Sequence, residues 1–177
     1  AGGEIFIAGR PLHAYSREEM ARTVGVVLTE RSAEGGLTVY ETVSLGRYPY
    51  TDFFGRMKPE DVDAVERALE ETGITDKRDC YLSRMSDGER QKVMIAKALA
   101  QDCPILVLDE PTAFLDGTAR IKTMELSRRI SRDGERAILV STHDLDLALR
   151  MSDNLWIMSP KMGVIQGPVA EVVERNG

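Results

Sequence analysis

Long apolar runs are missing from these 177 residues, and so is any excess of basic charge. No stretch approaches the ~20 consecutive apolar residues that cross a bilayer as a helix. Ala1-Gly-Gly-Glu4 has neither the charged start nor the apolar core of a secretory leader, so any membrane role is expected to go through a partner. Lys and Arg number 23 against 29 Asp and Glu, a formal net charge of -6. Non-specific nucleic-acid binding needs a basic footprint, so no nucleic-acid partner is expected. A small anion is not excluded, because backbone amides hold phosphate inside acidic proteins. Cysteine is scarce: Cys80 and Cys103 cannot build a disulfide framework and lack metal-ligand spacing, which points to two reduced thiols in a cytosolic protein. What is present is ordinary, 42% apolar and 29% charged residues, enough for one domain or one lobe of a larger one.

Residues 4–8 are enriched in β-formers, and Gly9-Arg-Pro11 closes that segment as a strand and turn. Ser16 and Glu19 form a capping-box pair ahead of a helix, and Thr38 and Glu41 repeat it before another at 38–45. Residues 24–28 read as a buried strand. Helices are expected at 60–72, with Val62, Val65 and Leu69 on one face and Gly73 at its end, and at 88–101. A strand at 105–109, a helix at 118–132, a strand at 137–141, a helix after Asp144, a hairpin over 155–165 and a final helix after Pro168 complete the pattern. Strands separated by helices imply a parallel sheet. Residues 38–84 carry no strand signal and read as a helical subdomain inserted between 1–37 and 85–177.

The most informative run is Ile105-Leu-Val-Leu-Asp-Glu-Pro-Thr112. Four apolar β-formers end in two carboxylates, and Pro111 cannot continue a central ladder. Ligands of open α/β sheets bind beyond the carboxyl ends of the strands, so Asp109 and Glu110 stand where a magnesium nucleotide is held and a water activated. Around them lie three further elements. Ser86-Asp-Gly-Glu89 opens a helix and offers a hydroxyl and free amides to an anion. Ser141-Thr-His-Asp144 ends another apolar strand with His143. Asp116 sits in the turn after Pro111, where the plain alternative is a helix cap. Each is weak alone, and His13 reads as structural.

In order and spacing, these elements resemble the ATP-binding cassette ATPases over essentially the whole chain. Met85-Ser-Asp-Gly-Glu89 is similar to the family's signature Leu-Ser-Gly-Gly-Gln, residues 105–110 to Walker B, 113–116 to the D-loop and His143 to the switch histidine. The resemblance implies a partial P-loop NTPase-like α/β fold, a parallel sheet flanked by helices with an inserted α-helical subdomain. It implies ATP and Mg2+ as ligands, with Asp109 holding the metal through water, Glu110 activating the attacking water and His143 contacting the γ-phosphate. Ser86, Asp87, Gly88 and Glu89 would form the signature that meets nucleotide on a second protomer in a head-to-tail dimer, and Asp116 would tie the two sites together.

Asp87 stands where the family has Gly, and Met85 where it has Leu. Thr29 takes the place of the Q-loop glutamine and would reach magnesium only through water. No Gly-x-x-x-x-Gly-Lys-[Ser/Thr] occurs in these residues. That loop is expected upstream, making this chain a fragment that neither binds MgATP nor hydrolyses it alone, and whose uncovered sheet self-associates. Gly46-Arg-Tyr-Pro49 is similar to the Gly-Arg-x-Pro segment of importers of iron-siderophores, haem and cobalamin. By that likeness a membrane permease docks between Glu30 and Tyr50, with Tyr48, Tyr50, Phe53 and Phe54 as candidate contacts, and the subunit sits on the cytoplasmic face of the inner membrane. Core packing of Phe53 and Phe54 is an equal alternative. A soluble cassette ATPase of DNA repair or iron-sulfur assembly, or a non-catalytic regulatory domain, also stays open.

Overall fold

The structure, a computed structural model, describes residues 3–29, 36–133, 136–159 and 163–176. A small antiparallel hairpin comes first, β1 (Phe6–Ile7) against β2 (Arg10–Pro11). Its turn is Ala8 and Gly9, both at positive φ, so Arg10 and Pro11 belong to the returning strand and not to the turn expected from sequence. Helix α1 (Arg17–Thr23) begins at the Ser16–Glu19 capping box and packs onto the edge of the main sheet.

That sheet is parallel, in the order β3 (Val24–Val27), β4 (Ile105–Asp109), β5 (Ala137–Ser141). The expected parallel sheet flanked by helices is borne out. Its register sets Val24 beside Ile105 and Ala137, and carries through to Asp109 beside Ser141 at the carboxyl end. Because side chains alternate across a strand, Gly25, Val27, Leu106 and Leu108 share one face, and those four are buried. The other face carries Val26, Val107, Asp109, Leu139 and Ser141, and Val26 and Leu139 stand exposed.

Residues 38–84 hold α2 (Val39–Ser44), a 3-10 turn at Leu45–Tyr50 and α3 (Pro59–Thr72). Among the described residues there, pairing is limited to a single bridge between Thr38 and Tyr81. Pro59 starts α3 with its preset φ, and Gly73 ends it at a left-handed φ of 63°, open to glycine at no steric cost. The buried stripe of α3 runs through Asp61, Ala64, Val65, Ala68, Leu69 and Thr72. Val62 lies at its margin, correcting the face expected from spacing.

Helix α4 (Asp87–Ala100) is the hub, packing on α2, α3, β3 and α5 (Gly117–Asp133). One buried cluster joins Val43, Leu69, Val93, Leu99, Leu106 and Ile130, so the helical segment and the sheet share a core. A second, smaller cluster unites α6 (Leu145–Met151), the antiparallel pair β6 (Asn154–Ser159) and β7 (Gly163–Pro168), and α7 (Val169–Asn176) through Ala148, Leu155 and Val172.

Candidate active site

Where β4 ends, the chain turns sharply. Glu110 takes a left-handed φ of 46°, unusual for a residue with a side chain and costing about 1–2 kcal/mol. Pro111 and Thr112 then dive into the interior, and the Ala113 amide closes the turn on the Glu110 carbonyl at 2.9 Å. The strain is held by β5. The Glu110 amide donates to Ser141 Oγ at 2.9 Å and to the Ser141 carbonyl at 3.1 Å.

The two acids are thereby set apart. Asp109 Oδ1 accepts the Ser141 hydroxyl at 2.6 Å, and the Asp109 carbonyl accepts the Thr29 hydroxyl at 2.6 Å. Glu110 Oε2 lies 2.8 Å from His143 Nδ1. A carboxylate only accepts, so Nδ1 carries the proton and the exposed ring presents Nε2 outward. Thr29, Asp109, Glu110 and His143 are brought together, and Ser141 connects them.

His143 occupies the turn between β5 and α6. Asp144 caps α6 through the Leu147 amide at 3.2 Å, and Thr142 Oγ1 accepts the Asp144 amide at 3.0 Å. Asp116 takes the helix-cap role, its Oδ1 accepting the Ala119 amide at 2.8 Å at the start of α5. Arg120, one residue on, reaches toward Asp144 at 4.0 Å.

Ser86 caps α4, and Asp87, Gly88 and Glu89 form its first turn, with no hydrogen bond among the described residues to Asp109 or Glu110. Ser86 Oγ donates to Glu89 Oε2 at 3.0 Å and accepts the Glu89 amide at 3.3 Å. Glu89 also pairs with Lys77 at 3.1 Å. The Ser86 backbone amide, then Lys77 and the Ser86 hydroxyl, hold its carboxyl down at about 2. Asp87 is exposed, 3.8 Å from Arg90, at a helix end that favours negative charge. A Cβ on Gly88 would stand 3.3 Å from the Ala119 side chain, so this turn abuts the start of α5.

The donor set suits a metal held partly by other groups. Among the described residues no three His, Cys, Asp or Glu side chains converge as a cage. Magnesium is ordinarily bound by one or two carboxylates with phosphates and waters, and Asp109, with Oδ2 left by the Ser141 bond, fits that pattern.

Sequence reasoning missed Ser141 as a site residue. The available signal was a small hydroxyl residue ending the strand beside β4, and using it needed the register. The aromatics divide. Tyr50 is tied inward, under Arg47 at 3.9 Å and Arg22 at 5.0 Å, whereas Phe53 and Phe54 stand 98% and 77% exposed, which removes the core-packing alternative for both. Glu30 lies outside the described residues.

A family model described as ABC transporter matches residues 1–113. The chain belongs to this family. It is 35% identical over 171 residues to the iron(3+)-hydroxamate import ATP-binding protein FhuC of Bacillus subtilis, covering 97% of this chain and 64% of that protein. It is 35% identical over 173 residues to the ferric enterobactin transport ATP-binding protein FepC of Escherichia coli, covering 98% and 64%. The solved structure of cbiO1 from Clostridium perfringens, part of the transporter complex cbiONQ, superimposes with a TM-score of 0.84 at 27% identity, covering 98% of this chain and 69% of that one. The chain thus spans about three fifths of the length of the curated relatives it matches. No described helix is long and apolar enough to cross a membrane.

Proposed function

We propose that these residues belong to the ATP-hydrolysing subunit of an importer for a metal chelate of the siderophore, haem or cobalamin type, working on the cytoplasmic face of the membrane against a permease. The observation that carries the reading is the linked set Asp109, Ser141, Glu110 and His143 at the ends of two neighbouring parallel strands. The names of the relatives support the cargo class.

In this reading Asp109 turns its free carboxylate oxygen to magnesium, with Thr29 fixing the backbone behind it. The bound ion supplies charge stabilisation to the phosphates. Glu110 orients the attacking water and accepts its proton. His143, anchored through Nδ1, offers Nε2 to the transferred phosphoryl group. Phosphoryl transfer depends on positioning and charge more than on covalent chemistry, so acids, an imidazole and backbone amides suffice. Ser86, Asp87, Gly88 and Glu89 face the nucleotide of a second protomer, with Asp116 at the junction.

For the permease we propose the groove between the β3 edge, the 3-10 turn at 45–50 and α4. It has a volume of about 210 Å3, and its walls include Val26, Leu45, Tyr48, Pro49, Met94 and Lys97. Gly46 brings that turn onto α4, since a Cβ there would overlap the Lys97 carbonyl. Exposed Phe53 and Phe54 stand nearby in sequence to extend the contact, as aromatics do at interfaces.

The test is steady-state ATP hydrolysis by the full-length protein, alone and with permease-bearing membranes. Glu110→Gln is expected to lower turnover about 10²–10⁴-fold, as loss of a general base does. Undiminished hydrolysis by that variant would sink the assignment. Turnover indifferent to every permease would favour a cassette ATPase without a membrane partner.

A further inference from the structure

We propose that Ser141 is the positioning residue that holds both acids of the site in one frame. This rests on the reading of Asp109 and Glu110 given above. A serine hydroxyl has one hydrogen and two lone pairs. The Glu110 amide can only donate, so at 2.9 Å Ser141 Oγ is the acceptor. Its single hydrogen is committed to Asp109 Oδ1, and 2.6 Å is the length of a charge-assisted O–H to carboxylate bond. The Ser141 carbonyl takes the same Glu110 amide at 3.1 Å.

One residue therefore sets two things. It fixes the rotation of the Asp109 carboxylate, leaving Oδ2 as the oxygen turned to a metal or its water. It also fixes the left-handed backbone of Glu110, and with it the carboxylate that meets His143. The register explains why the residue lies here. Asp109 and Ser141 are direct partners across the β4–β5 ladder and share its open face. A side chain longer than a hydroxymethyl would push the carboxylate away, and an alanine would leave it free to rotate. Groups that orient metal ligands ordinarily matter almost as much as the ligands themselves.

The test is Mn2+ uptake in the presence of ADP, read by electron paramagnetic resonance on the full-length protein carrying Ser141→Ala or Ser141→Thr. Ser141→Ala is expected to weaken Mn2+ binding about tenfold, with metal-free ADP affinity unchanged. Ser141→Thr, which keeps the hydroxyl and suits a strand, restores wild-type binding. A merely structural serine would lower metal and nucleotide binding together through lost folded protein. The proposal is overturned if Ser141→Ala binds Mn2+ as the wild type does, or if Ser141→Thr is as weak as Ser141→Ala. A wild type that takes up ADP but no Mn2+ overturns the metal role of Asp109 itself, and the inference with it.

Discussion

Arg47 and Asp61 lie 14 residues apart and meet with 7% and 1% of their side chains exposed. Arg47 reaches Asp61 Oδ1 at 2.9 and 2.8 Å through Nε and a terminal nitrogen, and its other terminal nitrogen donates to the Ala100 carbonyl at 2.8 Å. Asp61 accepts in addition the Lys58 amide at 2.9 Å, which starts α3. Burial pushes the Asp61 carboxyl up, but the Lys58 amide and Arg47 together hold it below its ordinary value. The pair thus joins the 3-10 turn, the start of α3 and the end of α4. Removing one partner of a buried pair strands the other charge, so Asp61→Asn should cost about 3–5 kcal/mol in urea unfolding. A loss under about 1 kcal/mol, the range of surface pairs, would mean that the site is wetter than its burial implies. Nothing in the sequence marked this pair. Gly46-Arg-Tyr-Pro49 was legible as a motif, whereas the partner of its arginine depends on how α3 lies on α4. Asp109, Glu110 and His143 were legible because each ends an apolar run. Ser141 was not, because a hydroxyl gains its meaning from the strand beside it.

At the scale of the element, helix starts were the most legible feature, because a capping box is written in four consecutive residues. Ser16–Glu19 and Thr38–Glu41 close as expected, and Ser86–Glu89 closes a third box that sequence reasoning did not single out. The 3-10 turn at Leu45–Tyr50 escaped, since Gly46 and Pro49 disfavour helix and it is packing on α3 and α4 that winds them. The third box also makes a pH prediction. Glu89 sits at about 2 in the fold against an ordinary 4.5, so the folded state binds its proton less readily than the unfolded chain does. Its contribution is complete above about 4.5 and is lost as the pH falls toward 2. Glu89→Gln keeps the hydrogen-bonding shape and removes the charge. With about a third of the side chain in solvent, the variant should be less stable by about 1 kcal/mol at neutral pH after screening. In urea unfolding followed from pH 7 downward, the gap between the two proteins should narrow below about 4.5. A gap constant with pH would assign the cost to lost hydrogen bonds and not to charge.

Across the whole molecule, the parallel sheet is covered on one face. Continuous apolar strands such as 105–108 are the mark of sheets buried on both faces, and α4 and α5 supply one layer. On the other side Val26 is 52% and Leu139 45% exposed, flanking Val107 in the same row of the ladder. Both outer strands, β3 and β5, also present edges among the described pairings. Unpaired edges beside exposed apolar surface favour association, while the net charge of -6 opposes it only through a screened repulsion. The chain as given is therefore expected to self-associate, with a weight-average sedimentation coefficient that rises between about 10 and 300 µM, the range in which exposed apolar surface drives contact. Added salt should strengthen it by weakening the repulsion. Val26→Lys with Leu139→Lys places charge at the centre of the face without touching Asp109, Ser141 or the buried row, and should return the chain to a concentration-independent monomer. A wild type that sediments as a monomer throughout would show that the open face is too small, or too well shielded by its charged surroundings, to hold a second molecule.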